Sequence, residues 1–426
     1  MKVWRRPAVW ARLALLAVFL LAAVVIPGRA TSQQAPHCVG LRCTAAGSVL
    51  WTAPLPGSWT AEPGVLGTVT EPDAPYAAVD GAIAAVGSGT SVTGFDATTG
   101  KARWHVSLSG LLPGSVIVSV RAFNGVVAIG VQPPAGQGGP ARDEVILTAA
   151  TGRQIRTYPA ASYGGAVRAD SATTVIVGNS TVTAYANATG RARWQRGLGG
   201  AGATWRTSGQ YIYVANPAGA GGVATVRQIS LVTGAERVVR AQHGTFAGSL
   251  ADVIDTPVLG GPPTTVLLFA GASGVSAYGL DGRGPRWQKP AAVVELADAA
   301  TGVVYLAEGA KLTGIDAVSG HTVSSVAISV AASLYWISGG VALGLDQNAL
   351  GEAWGYSLAA RRVAWTSVAL PWPHYFADIS GLGGSTSGAG DVALLAVCAL
   401  TGAAPTASTA PPCTRPELAA VLIRSK

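Results

Sequence analysis

The chain has 426 residues, of which 49% are hydrophobic and only 12% charged, with 56 glycines and 25 prolines; it is turn-rich and long enough to bury a large core. The formal charge of +8 misleads, because Lys2, Arg5, Arg6, Arg12, Arg29 and Arg42 precede Thr60 with no acidic residue among them, while the chain from Glu62 onward carries 23 basic and 21 acidic side chains. No basic stripe of the nucleic-acid-binding kind survives that correction.

In chain order, residues 1–12 form a basic segment and residues 13–27 an apolar helix. Leu13 to Ile26 is an uninterrupted apolar run. It fits a signal peptide with Gly28-Arg29-Ala30 as cleavage site. Counted from Pro7 it reaches about 20 residues, enough to span a bilayer as a signal-anchor with the basic flank inside. Retention gives a single-pass protein of the cytoplasmic membrane with the rest of the chain outside; cleavage gives a secreted protein. Arg5-Arg6 is a poor twin-arginine signal, and Cys38 lies too far from the apolar run for a lipobox. Residues 28–44 read as a polar tether.

From residue 45 to residue 426 the chain repeats. Gly100-Lys101-Ala102-Arg103-Trp104 recurs as Gly190-Arg191-Ala192-Arg193-Trp194, as Gly47 to Trp51, and with one extra residue as Gly282 to Trp287. Weaker copies begin at Gly152, Gly234, Gly320 and Arg361. Most turns follow two β-type runs. The first is apolar and β-branched, as in Val126 to Val131 or Val392 to Val397; the second alternates, as in Thr181 to Tyr185 or Lys311 to Ile315. A third run follows each turn. Repeats of about 40–50 residues with short antiparallel strands point to an all-β fold: an eight-bladed β-propeller of four-stranded antiparallel blades, or seven blades if one weak repeat is miscounted. The N-terminal copy lacks its preceding runs and the C-terminal stretch lacks its turn, so the last blade is expected to be closed by both termini.

Several smaller features accompany the repeat. Asp96 and Asp316 are expected to bond the backbone of the turns they open. Asp252 and Asp255 read as a loop before Pro257, and Gly381 to Gly390 and Thr401 to Pro412 as flexible low-complexity stretches. Trp372, His374, Tyr375 and Phe376 form an aromatic patch between prolines, either a recognition lip or an inter-blade connection. The four cysteines, Cys38, Cys43, Cys398 and Cys413, suit disulfides outside the cytoplasm. Of three connectivities, the local pairs Cys38–Cys43 and Cys398–Cys413 are favoured; cross-pairing would staple the ring. No nucleophile elbow, zinc-protease motif or phosphate-binding loop occurs.

The stretches Phe95 to Trp104 and Tyr185 to Trp194, with Ile315 to Gly320 as a half copy, resemble the PQQ-like propeller repeat. The resemblance implies that Trp51, Trp104, Trp194, Trp287 and Trp365 dock adjacent blades against each other. The family includes quinoprotein dehydrogenases, which carry adjacent cysteines over the quinone, an acidic calcium site and a catalytic Asp. This sequence has no adjacent cysteine pair. The expectation is therefore a non-enzymatic binding or scaffold propeller with no cofactor, PQQ with calcium included, no metal and no nucleic acid. Its partner would be a protein or a cell-envelope component. The alternatives are a PQQ-dependent oxidoreductase and the ectodomain of a signalling complex.

Overall fold

The computed structural model describes residues 46–55, 76–108, 115–123, 125–133, 142–160, 164–200, 202–218, 222–258, 261–290, 292–298, 301–308, 311–327, 332–338, 341–346, 353–357, 362–366, 374–386, 390–399 and 415–423. The expected N-terminal helix, the tether, three of the four cysteines, Trp372 and the Thr401 stretch lie outside them. Among the described residues no helix is long and apolar enough to cross a membrane.

The described chain is all strand and turn. The first strand, β1 (Val49–Pro54), is followed by seven consecutive groups of four. Blade 1 holds β2 (Tyr76–Asp80), β3 (Ile83–Ser88), β4 (Ser91–Asp96) and β5 (Ala102–Ser107). Blade 2 holds β6 (Val116–Phe123), β7 (Val126–Gln132), β8 (Arg142–Thr148) and β9 (Gln154–Ala160). Blade 3 holds β10 (Gly165–Ala169), β11 (Thr173–Val177), β12 (Thr181–Ala186) and β13 (Ala192–Gly197). Blade 4 holds β14 (Thr204–Ser208), β15 (Tyr211–Asn216), β16 (Val223–Ser230) and β17 (Glu236–His243). Blade 5 holds β18 (Ser249–Val258), β19 (Gly261–Gly271), β20 (Gly274–Gly279) and β21 (Trp287–Lys289). Blade 6 holds β22 (Val293–Asp298), β23 (Val303–Glu308), β24 (Lys311–Asp316) and β25 (Thr322–Ala327). Blade 7 holds β26 (Ala332–Ser338), β27 (Val341–Asp346), β28 (Ala353–Ser357) and β29 (Arg362–Thr366).

Blade 8 is assembled from both ends of the repeat region. β30 (His374–Thr386), β31 (Gly390–Ala399) and β32 (Pro416–Leu422) come from the C-terminal side, and β1 adds as the fourth strand, with Val49 opposite Val421 and Pro54 opposite Glu417. Every blade is an antiparallel meander, and a single parallel bridge between Val79 and Gly383 joins blade 8 to blade 1. The eight-bladed count and the split blade match the sequence expectation. Two local readings do not: Asp252 and Asp255 sit within β18 rather than in a loop, and Gly381 to Thr386 belong to β30. In both places cross-strand hydrogen bonding overrides a Gly- or Pro-marked turn signal.

The reason for the apolar second strands is visible in β31. Val392, Leu394, Ala396 and Cys398 point into a core shared with blade 1, while Ala393, Leu395 and Val397 point into a core shared with Leu343 of blade 7. A strand covered on both faces keeps its period of two but has no polar face, so it reads as a continuous run. Equivalent cores fill the interfaces from blade 1 through blade 6, and β22 touches β26 at the next. The first strands of successive blades meet one another, β2 with β6, β14 with β18 and β18 with β22, so they line the axis of the ring.

Candidate functional site: one ladder row from rim to axis

Strand pairing defines one row of residues that crosses each blade from the axis to the rim. It reads Ala78–Ala85–Gly94–Trp104 in blade 1, Arg121–Ala128–Ile146–Arg156 in blade 2 and Arg168–Val175–Ala184–Trp194 in blade 3. Blade 4 has Arg206–Tyr213–Gln228–Arg237 and blade 5 Asp252–Leu268–Ala277–Trp287. Blade 6 has Leu296–Tyr305–Gly314–Ser324, blade 7 Trp336–Leu343–Gly355–Trp365 and blade 8 Gly381–Leu394–Ala420–Trp51. All five motif tryptophans stand at the rim end of this single row.

Each described motif indole rests on the turn of the following blade. Trp51 Nε1 donates to the Ala97 carbonyl at 2.8 Å, Trp104 to Ala149 at 2.6 Å, Trp194 to Val232 at 3.4 Å and Trp287 to Ala317 at 2.9 Å. Under the four rings lie Gly100, Gly152, Gly234 and Gly320. These glycines serve twice. Each has φ between 67° and 74°, the left-handed region, and a Cβ on any of them would come within 2.5–2.7 Å of the indole. The turns are further fixed by Asx bonds. Asp96 Oδ1 accepts from the Thr98 and Thr99 amides at 3.1 and 2.9 Å, and Asp316 Oδ1 from the Ser319 amide at 2.7 Å. The ion pair with Arg103, aided by these amides, holds the Asp96 carboxyl below its usual range.

Two blades solve the docking differently, and the repeat motif did not reveal it. In blade 2 Arg156 takes the tryptophan's place: it lies on Gly190, with Nε donating to the Asn187 carbonyl at 3.1 Å and Nη2 to Ala188 at 3.3 Å. The signal was present, because Arg156 follows Gly152 by the same four positions that separate Trp104 from Gly100. In blade 4 the β-bulge falls between Val226 and Arg227, two rungs before its place in blades 1, 2 and 3. The residue beyond it is Arg240, whose Nη1 and Nη2 donate to Gly279 at 3.1 Å and Arg283 at 2.5 Å. Its guanidinium also lies 4.5 Å from the centre of the Tyr278 ring. Val238, which holds the tryptophan's sequence position, is left 58% exposed.

Asn187 opens an Asn-X-Thr sequon, Asn187-Ala188-Thr189, and is buried and hydrogen-bonded. Its Oδ1 accepts from the Tyr158 hydroxyl and from Thr174 Oγ1, both at 2.8 Å, and its Nδ2 donates to the Asp170 carbonyl at 2.8 Å.

At the axis end of the row, blades 2, 3 and 4 carry arginine in succession. Arg121 Nη1 donates to the Ala166 carbonyl of blade 3 at 3.0 Å, and Arg206 Nε donates to the Ala251 carbonyl of blade 5 at 2.6 Å. Arg168 makes no hydrogen bond or ion pair with any described residue. Behind Arg121 lies Glu144, fully buried, 3.9 Å from Arg121 Nη1 and 3.6 Å from Arg142 Nε. Arg142 is itself buried against Gly130 and donates to the Ser119 hydroxyl. Burial pushes the Glu144 carboxyl above its usual range, against the pull of Arg142 and Arg121. Burial likewise raises the carboxyl of Asp252, the next residue round the ring, with Arg206 opposing.

Other residues singled out in the sequence fall elsewhere. His374, Tyr375 and Phe376 open β30, an axial strand, rather than standing in a connection. Cys398 is buried in blade 8 and disulfide-bonded. His105 is exposed on β5, its Nδ1 2.9 Å from Thr93 Oγ1. Among the described residues no group of three His, Cys, Asp or Glu side chains could hold a metal ion.

Eight antiparallel blades, a glycine turn in the last hairpin and a rim tryptophan on the next turn define a PQQ-like β-propeller. The family model described as outer membrane protein assembly factor BamB matches residues 91–326, and the chain belongs to that family. Comparison with curated protein sequences gives no match. Among solved structures, Sqt1 from Saccharomyces cerevisiae is similar at a TM-score of 0.54, with 6% identity over 85% of this chain and 99% of that one. Quinohemoprotein alcohol dehydrogenase ADHIIG from Pseudomonas putida HK5 gives 0.52, with 12% identity over 89% and 76% of the two chains. A europium-containing methanol dehydrogenase gives 0.50, with 12% identity over 87% and 92%. At these identities the likeness is one of fold.

Proposed function

We propose that the chain is a non-enzymatic propeller that lies outside the cytoplasmic membrane, is anchored to it by residues 13–27, and holds a protein partner in the cell envelope. The observation that carries this reading is the family match: the model spanning residues 91–326 is that of an assembly factor. Three of the four exposed large apolar side chains among the described residues, Tyr211, Val232 and Val238, belong to blade 4, which makes that blade the place to probe for a partner. The reading includes no cofactor and pairs Cys398 with Cys413.

The test is a photo-crosslinking residue at position 238, expressed in the native envelope, with the same residue at exposed position 193 as the comparison. One stoichiometric adduct specific to position 238, in the membrane fraction, supports the proposal. Saturable binding of PQQ with calcium to the purified chain, accompanied by alcohol oxidation, overturns it in favour of an oxidoreductase.

A further inference from the structure

We infer that the axial wall of blades 2 to 4 is a binding site for a phosphate-bearing small molecule, with Arg168 and Arg206 as the contacting residues and Arg121 completing the arc. Three observations meet here. The arginines occupy the same ladder rung on three neighbouring axial strands, opposite Ala128, Val175 and Tyr213. The fold uses Arg121 Nη1 on Ala166 and Arg206 Nε and Nη1 on Ala251 and Trp205, which leaves other guanidinium donors of both for a ligand. Arg206 is exposed, Arg121 is 38% exposed, and Arg168 has no partner among the described residues.

The third observation is local charge. Residues 153–243 contain ten arginines against Asp170 and Glu236, a concentration hidden by the near-neutral count of the whole propeller. Among the described residues, Arg121, Arg142, Arg168 and Arg206 at the wall stand against Glu144, Asp252 and Asp255, the last holding the Ser208 hydroxyl on the strand of Arg206. The balance is one positive charge, which favours an anion at the wall. Guanidinium forks bind phosphate oxygens bidentately, and a row of them on a concave wall fixes both charge and orientation. A long nucleic acid needs a continuous outer surface; the axis of a closed ring admits a small molecule.

The experiment is calorimetric titration of the full-length purified chain with inorganic phosphate at low ionic strength, with citrate as a second probe. The expected result is saturable one-to-one phosphate binding, weakened at least tenfold in Arg168→Ala and in Arg206→Ala, and unchanged in Arg193→Ala on the rim. Circular dichroism melting establishes that each variant is folded. No phosphate binding, citrate binding without phosphate binding, or equal losses in Arg193→Ala and Arg168→Ala would each overturn the inference. None of these outcomes bears on the crosslinking test of the protein-partner reading.

Discussion

The indole of Trp104 lies against Gly152, and its Nε1 donates to the Ala149 carbonyl three residues earlier in the same turn. Blade 1 thereby holds the very hairpin that aligns the last strand of blade 2. Losing the ring should therefore loosen two blades. Trp104→Ala is expected to cost about 3 kcal/mol, and Gly152→Ala about 1–3 kcal/mol, since alanine resists the positive φ and its Cβ displaces the indole. Chemical denaturation of both single variants and the double variant checks this. Fully additive losses would show that the two residues do not act on each other.

Arg156 offers a complementary test. Arg156→Ala removes two donors from the Asn187 and Ala188 carbonyls and should cost about 1–2 kcal/mol. Arg156→Trp restores the residue used by five other blades and should recover most of that loss. Thermal melting of the pair decides it. A tryptophan variant less stable than the alanine variant would show that the blade 2 turn has diverged beyond the shared geometry.

Asn187 ties together Tyr158, Thr174 and the Asp170 carbonyl in a buried site. Asn187→Ala leaves two hydroxyls and a carbonyl without their partner and is expected to cost about 2–4 kcal/mol. The same burial predicts no glycan on this sequon in a glycosylating host. Mass spectrometry of the folded protein tests that point.

Glu144 predicts a pH dependence of definite sign. Its carboxyl binds a proton more tightly in the folded state than at its ordinary value of 4.5. Its contribution to stability is therefore fully present below the ordinary value and is lost as pH rises through the folded one. Glu144→Gln does not titrate. The melting temperature of the variant minus that of the wild type should thus become more positive from about pH 4.5 toward neutrality. A difference independent of pH would show that Glu144 has the same proton affinity folded and unfolded.

The repeat was legible because its signals are local. A glycine in the left-handed region, an Asx residue before it and a tryptophan after it sit within ten residues, and the same run marks three blades. The split blade was legible because each end lacked what the other supplied. The axial arginines were not, because the first strands carry no shared motif; Arg121, Arg168 and Arg206 become equivalent only through their pairing with Ala128, Val175 and Tyr213. Nor was the docking by Arg240, whose position depends on where a bulge falls in blade 4. The loop assigned to Asp252 and Asp255 failed for a similar reason: Pro257 marks a break, but the ladder to β19 carries the strand on to Val258.

The pairing of Val49 with Val421 sets a timetable. Among the described strands β1 is made first, and its neighbour β32 is made last. Through the synthesis of seven blades it offers a bare edge, Val49-Leu50-Trp51, to any strand nearby. The half-built ring thus passes through a long interval in which pairing with another nascent chain competes with closure. The chance of misassembly is fixed less by the stability of the finished propeller than by how long β1 must wait.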